Sequence, residues 1–178
     1  PQVSTLEERE FYSYIGTSDA PYTGGFMNTF NYKFIDLSFN LSYSFGGYSY
    51  DNASYILQDD GYSVISNKST EQRRRWQKPG DITDVPRFVY GNKKGGNYNS
   101  SRAIHSTDHI RLKSLILGLN APKAWLQKLG IGNARIYFSG TNLLTWAAYD
   151  QYDPEMSGVV GFYTPPLKTY AFGLELKF

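Results

Sequence analysis

Apolar and polar residues alternate along this chain with a period of two, the pattern of strands that present one apolar and one polar face. The longest run closes the sequence. Over residues 169–178, Tyr170, Phe172, Leu174, Leu176 and Phe178 share one face, and Ala171, Gly173, Glu175 and Lys177 share the other. Two more strands are read in residues 26–45. Phe26, Phe30, Tyr32 and Phe34 line the first, and Leu37, Phe39, Leu41, Tyr43 and Phe45 line the second, opposite Ser38, Asn40, Ser42 and Ser44. A tight hairpin around Ile35-Asp36 is expected between them. Residues 134–146 set Ile136 and Phe138 against Arg135, Tyr137 and Ser139, and end in Leu143, Leu144 and Trp146. Residues 108–119 begin with Ile110 and Leu112 on one face but finish with Leu115, Leu117 and Leu119 at the other parity. One extra residue, a β-bulge near Lys113-Ser114, restores a single face. A further strand is expected over 8–15, through Phe11 and Tyr14.

The links between strands alternate in length: a tight turn at 34–36, an irregular stretch of 49–106, a medium link of 120–133 and a loop of 147–167. In the medium link, the run from Pro122 to Gly130 predicts a short amphipathic helix that starts at proline and stops at glycine. Helical turns are expected at 53–57 and 70–77. Loops longer than about 15 residues are uncommon in compact soluble domains. Transmembrane barrels, by contrast, join strands of about 9 to 11 residues by short turns on one side and long loops on the other. The fold expected is all-β, an antiparallel transmembrane β-barrel of which this chain supplies only some strands. Aromatics at strand ends (Tyr43, Phe45, Trp146, Tyr170 and Phe178) suit interfacial girdles, and the Ser, Asn, Arg and Lys of the opposite faces suit a wet or plugged lumen. A soluble β-sandwich also buries one face of each strand, so a carbohydrate-binding or adhesin module is the alternative reading.

Composition sharpens the choice. Among 178 residues there are 16 Tyr and 11 Phe, only 19% are charged, and no segment is apolar over the roughly 18 to 20 residues that a spanning helix requires. A membrane role therefore falls to strands. No charged and then apolar leader opens the chain. Cysteine is absent, which removes disulfide frameworks, thiolate metal sites and thiol nucleophiles together. Eighteen basic and 16 acidic residues give a net charge of +2, so nucleic acid is not an expected partner.

Candidate chemistry is sparse. His105 and His109, with Asp108 beside them, would stand about 13 Å apart on a strand, too far to share an ion, and read as a solvated loop-to-strand junction. Asp150, Asp153 and Glu155 lack the ligand spacing and glycine of a calcium loop. Arg73-Arg74-Arg75 reads as a solvated charge run open to a partner's acidic face. Gly91-Asn92-Lys93-Lys94-Gly95-Gly96 is not a phosphate loop, because no strand leads into it and no Gly-Lys-Ser/Thr follows. Asn52-Ala53-Ser54 and Asn67-Lys68-Ser69 match the glycosylation sequon, a pattern that arises often by chance. No nucleophile and base pair and no paired carboxylates form a recognisable motif, so neither an enzyme nor a cofactor is expected.

Several runs resemble, in order, the signature of SusC/RagA-like TonB-dependent transporters. They are Arg75-Trp76-Gln77-Lys78-Pro79-Gly80-Asp81 with Pro86-Arg87, Ser100-Ser101-Arg102, Ile110-Arg111-Leu112, Leu117-Gly118-Leu119-Asn120-Ala121-Pro122, Gly140-Thr141-Asn142-Leu143-Leu144, Tyr152-Asp153-Pro154-Glu155 and the closing Ala171-Phe172-Gly173-Leu174 with Phe178. Upstream, Pro21-Tyr22-Thr23-Gly24-Gly25-Phe26 and the run from Asp36 to Gly47 are also similar to strand-entry segments of that family. The resemblance covers nearly all of the chain. It implies a plugged outer-membrane barrel of about 22 strands that imports oligosaccharides or peptides. The partners it implies are a SusD-like surface lipoprotein, the TonB complex, outer-membrane lipid and the barrel-assembly machinery. The last would read Phe172, Leu174, Leu176 and Phe178 as a β-signal. No plug domain or TonB-box-like segment is evident, so residues 1–178 are expected to be the C-terminal segment of a longer protein. Loops 49–106 and 147–167 would face outward, offering Trp76, Tyr90, Tyr149 and Tyr152 for stacking on substrate.

Overall fold

The computed structural model describes residues 13–92 and 101–178. Five long strands, β1 (Tyr22–Tyr32), β2 (Ile35–Phe45), β5 (His109–Asn120), β6 (Asn133–Ala147) and β8 (Thr169–Lys177), form one antiparallel sheet in the order β1-β2-β5-β6-β8. The strands hold 9 to 15 residues, enough to cross a hydrocarbon layer when tilted. The sequence places all of these but sets the hairpin two residues late. Tyr32 pairs with Ile35 and Asn31 with Asp36, so the turn is Lys33-Phe34, with Lys33 at φ 54°. Neither turn residue is Gly, Asn or Asp, and the alternation runs through Phe34 unbroken, so nothing local marks the reversal. Of the expected strand at 8–15, residues 13–15 are irregular and the rest, Phe11 included, lie outside the described residues.

The expected bulge is at Lys113. On one side Asn40 faces Ser114 and Leu41 faces Leu112; on the other, Leu112 faces Leu144 and Ser114 faces Thr141. This extra residue keeps Leu112 and Leu115 on the same face. Side chains then align in rows across all five strands: Phe30, Leu37, Leu117, Phe138 and Phe172 form one, and Tyr32, Ile35, Leu119, Ile136 and Leu174 another. Among the described residues, no layer covers this face. Phe172 is 81% exposed, Ile136 60% and Phe30 55%. Among the described residues, the fully shielded apolar side chains are Val85, Ala103, Leu126 and Val160, none of them in the five-stranded sheet. A β-sandwich would require a second apolar sheet against these rows, and the described residues supply none.

The other face is polar and ion-paired. Asp36 on β2 reaches across β5 to Arg135 on β6 at 2.6 Å, Asn120 donates to Asp36 at 2.8 Å, and Arg135 also contacts Glu175 on β8 at 3.3 Å. The Asp36–Arg135 bridge passes over Gly118, where an added Cβ would lie 2.4 Å from both carboxylate oxygens. Tyr137 similarly lies over Gly173 on the neighbouring strand.

Because neighbouring strands are antiparallel, the β2–β5 and β6–β8 connections leave from the same end of the sheet. The β1–β2 turn and the β5–β6 link leave from the other. That link contains the expected helix, α2 (Lys123–Leu129), closed by Gly130 at φ 67°. The described parts of the long connections are more ordered than their sequence suggests. They contribute a second sheet in the order β4-β3-β7, from β3 (Tyr48–Asp51), β4 (Ile104–Ser106) and β7 (Gly158–Val160). Helix α1 (Asn52–Leu57) and 3-10 turns at Thr70–Arg74 and Ser101–Ala103 complete them.

Candidate functional site

The two long connections are joined by a parallel ladder between β3 and β7, Ser49 facing Gly158 and Asp51 facing Val160. Asp51, 3% exposed, is the hub. One carboxylate oxygen accepts the Ser54 backbone N–H at 2.8 Å, capping α1, and the other accepts the Tyr149 hydroxyl at 3.0 Å. Burial pushes the Tyr149 phenol up to about 12, so it stays protonated and donates. Tyr152 packs on Tyr149 and shares a short hydrogen bond with Ser49. Burial raises the Tyr152 phenol as well.

His105 stacks on Tyr149 with ring centres 3.8 Å apart and planes 3° from parallel. Burial lowers its pKa, opposed by the nearby Asp51 charge. His109 is 5% exposed, and its Nδ1 lies 2.8 Å from the Thr107 carbonyl. The junction is therefore packed and not solvated as the spacing suggested. The two histidines sit on different strands, β4 and β5, which β4's pairing with β3 turns away from a continuous run.

Below this cluster Arg111 of β5, 3% exposed, spreads its guanidinium over the 147–167 connection. It donates to Asp153 at 2.7 Å and to Glu155 at 2.9 Å, and Lys113 makes a short contact with Glu155. Two of the three carboxylates weighed for calcium are thus engaged by cations, and Asp150 accepts from Gln151 at 2.9 Å. No group of three or more metal-ligating side chains occurs among the described residues.

Between α1, the ends of β5 and β6, and residues 150–165 lies a cleft of about 870 Å³. Its lining mixes aromatic groups (Tyr152, Phe162, Tyr163) with Asp51, Glu71, Asp150 and Arg111. That combination suits a flexible polar ligand with apolar side groups. Of the four aromatics singled out in the sequence, Tyr152 lines the cleft and Tyr149 supports it from behind. Trp76 and Tyr90 are not among its lining residues. Trp76 closes a loop through its backbone N–H to the Val85 carbonyl at 2.9 Å, and Tyr90 is 80% exposed. Between Trp76 and Val85, Pro79-Gly80 makes a turn with Gly80 at φ 98°, and Asp81 accepts the Gln77 and Lys78 amides at 3.0 Å each. Arg73, Arg74 and Arg75 are exposed, and Arg74 pairs with Glu71. Residues 93–96 of the glycine-rich run and Ser100 fall outside the described residues. Phe172, Leu174 and Leu176 stand on the exposed face of β8, and Phe178 follows the strand. Sequence reasoning missed Asp51, Arg111, Phe162 and Tyr163. Arg111 left a signal, an arginine between Ile110 and Leu112 on the polar side of a strand rich in leucine.

No family model matches the chain. It is 30% identical over 190 aligned residues to the TonB-dependent receptor P3 of Formosa agariphila, an alignment that covers 99% of this chain and 18% of that protein. It is 32% identical over 154 residues to the TonB-dependent receptor P26 of the same organism, covering 80% and 15%. A structure of the RagAB peptide transporter superposes with a TM-score of 0.79 at 27% identity, covering 93% of this chain and 18% of that one. The RagAB peptide importer in its closed-closed state gives 0.78 at 28% identity over the same shares. The chain spans less than a fifth of the length of these relatives.

Proposed function

Because the chain belongs to the TonB-dependent receptors of the SusC/RagA-like kind, β-barrel proteins of the bacterial outer membrane, we propose that it is part of an importer. That importer takes up oligopeptides together with a SusD-like surface lipoprotein. The observation that carries this reading is the inversion of the sheet: apolar rows open on one face, ion pairs on the other, and an aromatic-lined cleft at the end where the two long connections leave. The cleft end, with the 49–106 and 147–167 connections, is the extracellular side, and the Lys33-Phe34 turn and α2 are periplasmic. The lipoprotein caps the cleft end. TonB acts through a part of the transporter outside this segment, and the barrel-assembly machinery reads Phe172, Leu174, Leu176 and Phe178. Tyr152 is the substrate-facing aromatic this reading favours. Peptide is preferred to oligosaccharide because the similar solved structures are named as peptide transporters.

Uptake decides it. Cells with and without the full-length transporter are given labelled oligopeptides and oligosaccharides of matched size, before and after the proton gradient is collapsed. Transporter-dependent, gradient-dependent peptide uptake is expected. Uptake of oligosaccharide alone would reassign the substrate, and uptake of neither would sink the import reading.

A further inference from the structure

The second long connection is fastened to the polar face of the sheet by Arg111, with Lys113 beside it on Glu155. Arg111 divides its guanidinium between Asp153 and Glu155, and Glu155 in turn donates its backbone N–H to Asp153 at 2.9 Å, so residues 153–155 form a knot on the wall. From that knot the second connection grips the first on both sides. Toward its N-terminal side, Tyr152 reaches Ser49, and Tyr149 reaches Asp51 and His105. Toward its C-terminal side, β7 pairs in parallel with β3. A three-residue parallel ladder has too few bonds to hold on its own and depends on the anchors at its ends.

We propose that Arg111 is a positioning residue that makes residues 48–57 and 149–160 of the two long connections a single body, so the cleft widens or narrows with both together and not with either segment alone. The side chains of Arg111 and Asp153 are 3% and 6% exposed. Removing the guanidinium leaves Asp153 a buried carboxylate without its cation, and lifting the knot into water relieves this. Lysine keeps the charge but not the fork that reaches both carboxylates. The single body stands independently of the import reading; its consequence for uptake rests on that reading.

Hydrogen exchange on the full-length transporter in detergent tests it, with Arg111→Met, Arg111→Lys and Asp153→Asn beside the parent. In Arg111→Met, exchange at 149–160 and at 48–57 is expected to accelerate together by about tenfold or more, while 114–120 stays protected. Arg111→Lys should fall between parent and Arg111→Met. If peptide is imported, apparent KM rises in Arg111→Met. Acceleration confined to 149–160, or none in either segment, overturns the proposal. If Arg111→Met loses protection at 114–120 as well, the sheet has failed. Asp153→Asn, which leaves every wall residue in place, then decides by the same two segments. A parent that imports nothing fails the import reading alone, because the exchange result is read without substrate.

Discussion

Burial disfavours the charged form of an imidazole, and His105 meets that cost while lying flat against Tyr149. Its folded pKa is below the ordinary 6.5 because desolvation outweighs the attraction of Asp51. Between the two values the unfolded segment binds more protons than the folded one, so stability rises with pH across that window. The contribution is complete above about pH 6.5 and is lost as pH falls through the folded pKa. Protection of residues 104–106, corrected for intrinsic exchange, should therefore be lower at about pH 5.5 than at about pH 7.5. His105→Phe, which keeps a ring on Tyr149, should abolish the difference. Equal pH dependence in parent and variant would exonerate His105. Tyr149 and Tyr152 were legible in the sequence as loop aromatics. Their roles were not, because Tyr149's hydrogen-bond partner Asp51 lies 98 residues away, and Tyr152's partner Ser49 lies 103 away.

Elements were legible in proportion to their length. Nine or more residues of strict alternation announce a strand, and the change of parity between Leu112 and Leu115 announces the Lys113 bulge. β4 and β7, three residues each, show no period, and their pairing with β3 is decided by segments far off in sequence. Glycines within the long strands were equally silent. Gly118 matters because the Asp36 carboxylate and the Arg135 guanidinium meet directly above it, joining β2 to β6 across β5. A methyl group there would lie 2.4 Å from the carboxylate and 2.6 Å from Arg135 Nε, so the pair must part or the strands must shift. Gly118→Ala is expected to cost about 1 to 3 kcal/mol, as overpacking does elsewhere. Urea unfolding of the full-length transporter in lipid measures this. Asp36→Ser with Arg135→Ser should remove most of the penalty, since the obstacle is then gone. A penalty unchanged in that background would place the strain in the backbone instead.

At the scale of the whole molecule, the sheet makes sense only with its apolar face in contact with something other than water. Phe26, Phe30, Ile136, Trp146, Phe172 and Leu174 are each more than half exposed, and the polar face opposite is cross-linked by Asp36, Arg135 and Glu175. In lipid that arrangement satisfies both faces, and in water it leaves an apolar surface far beyond what a monomeric soluble domain tolerates. Ser114 and Leu115 test the orientation at one depth, because they are adjacent in β5 yet oppose Asn40 and Phe39, near the middle of β2. The segment contains no cysteine. Ser114→Cys and Leu115→Cys can therefore be labelled singly in an otherwise cysteine-free full-length transporter. A fluorophore at 115 should be quenched by a lipid-borne nitroxide and spared by a water-soluble quencher, and the one at 114 should show the reverse. Leu115→Arg should lower stability in bilayers by about 2 to 4 kcal/mol, the cost of a cation near the midplane, and Ser114→Arg by much less. A label at 115 dark to both quenchers would mean that protein covers this face, because a lipid-facing residue cannot hide from a quencher dissolved among the acyl chains.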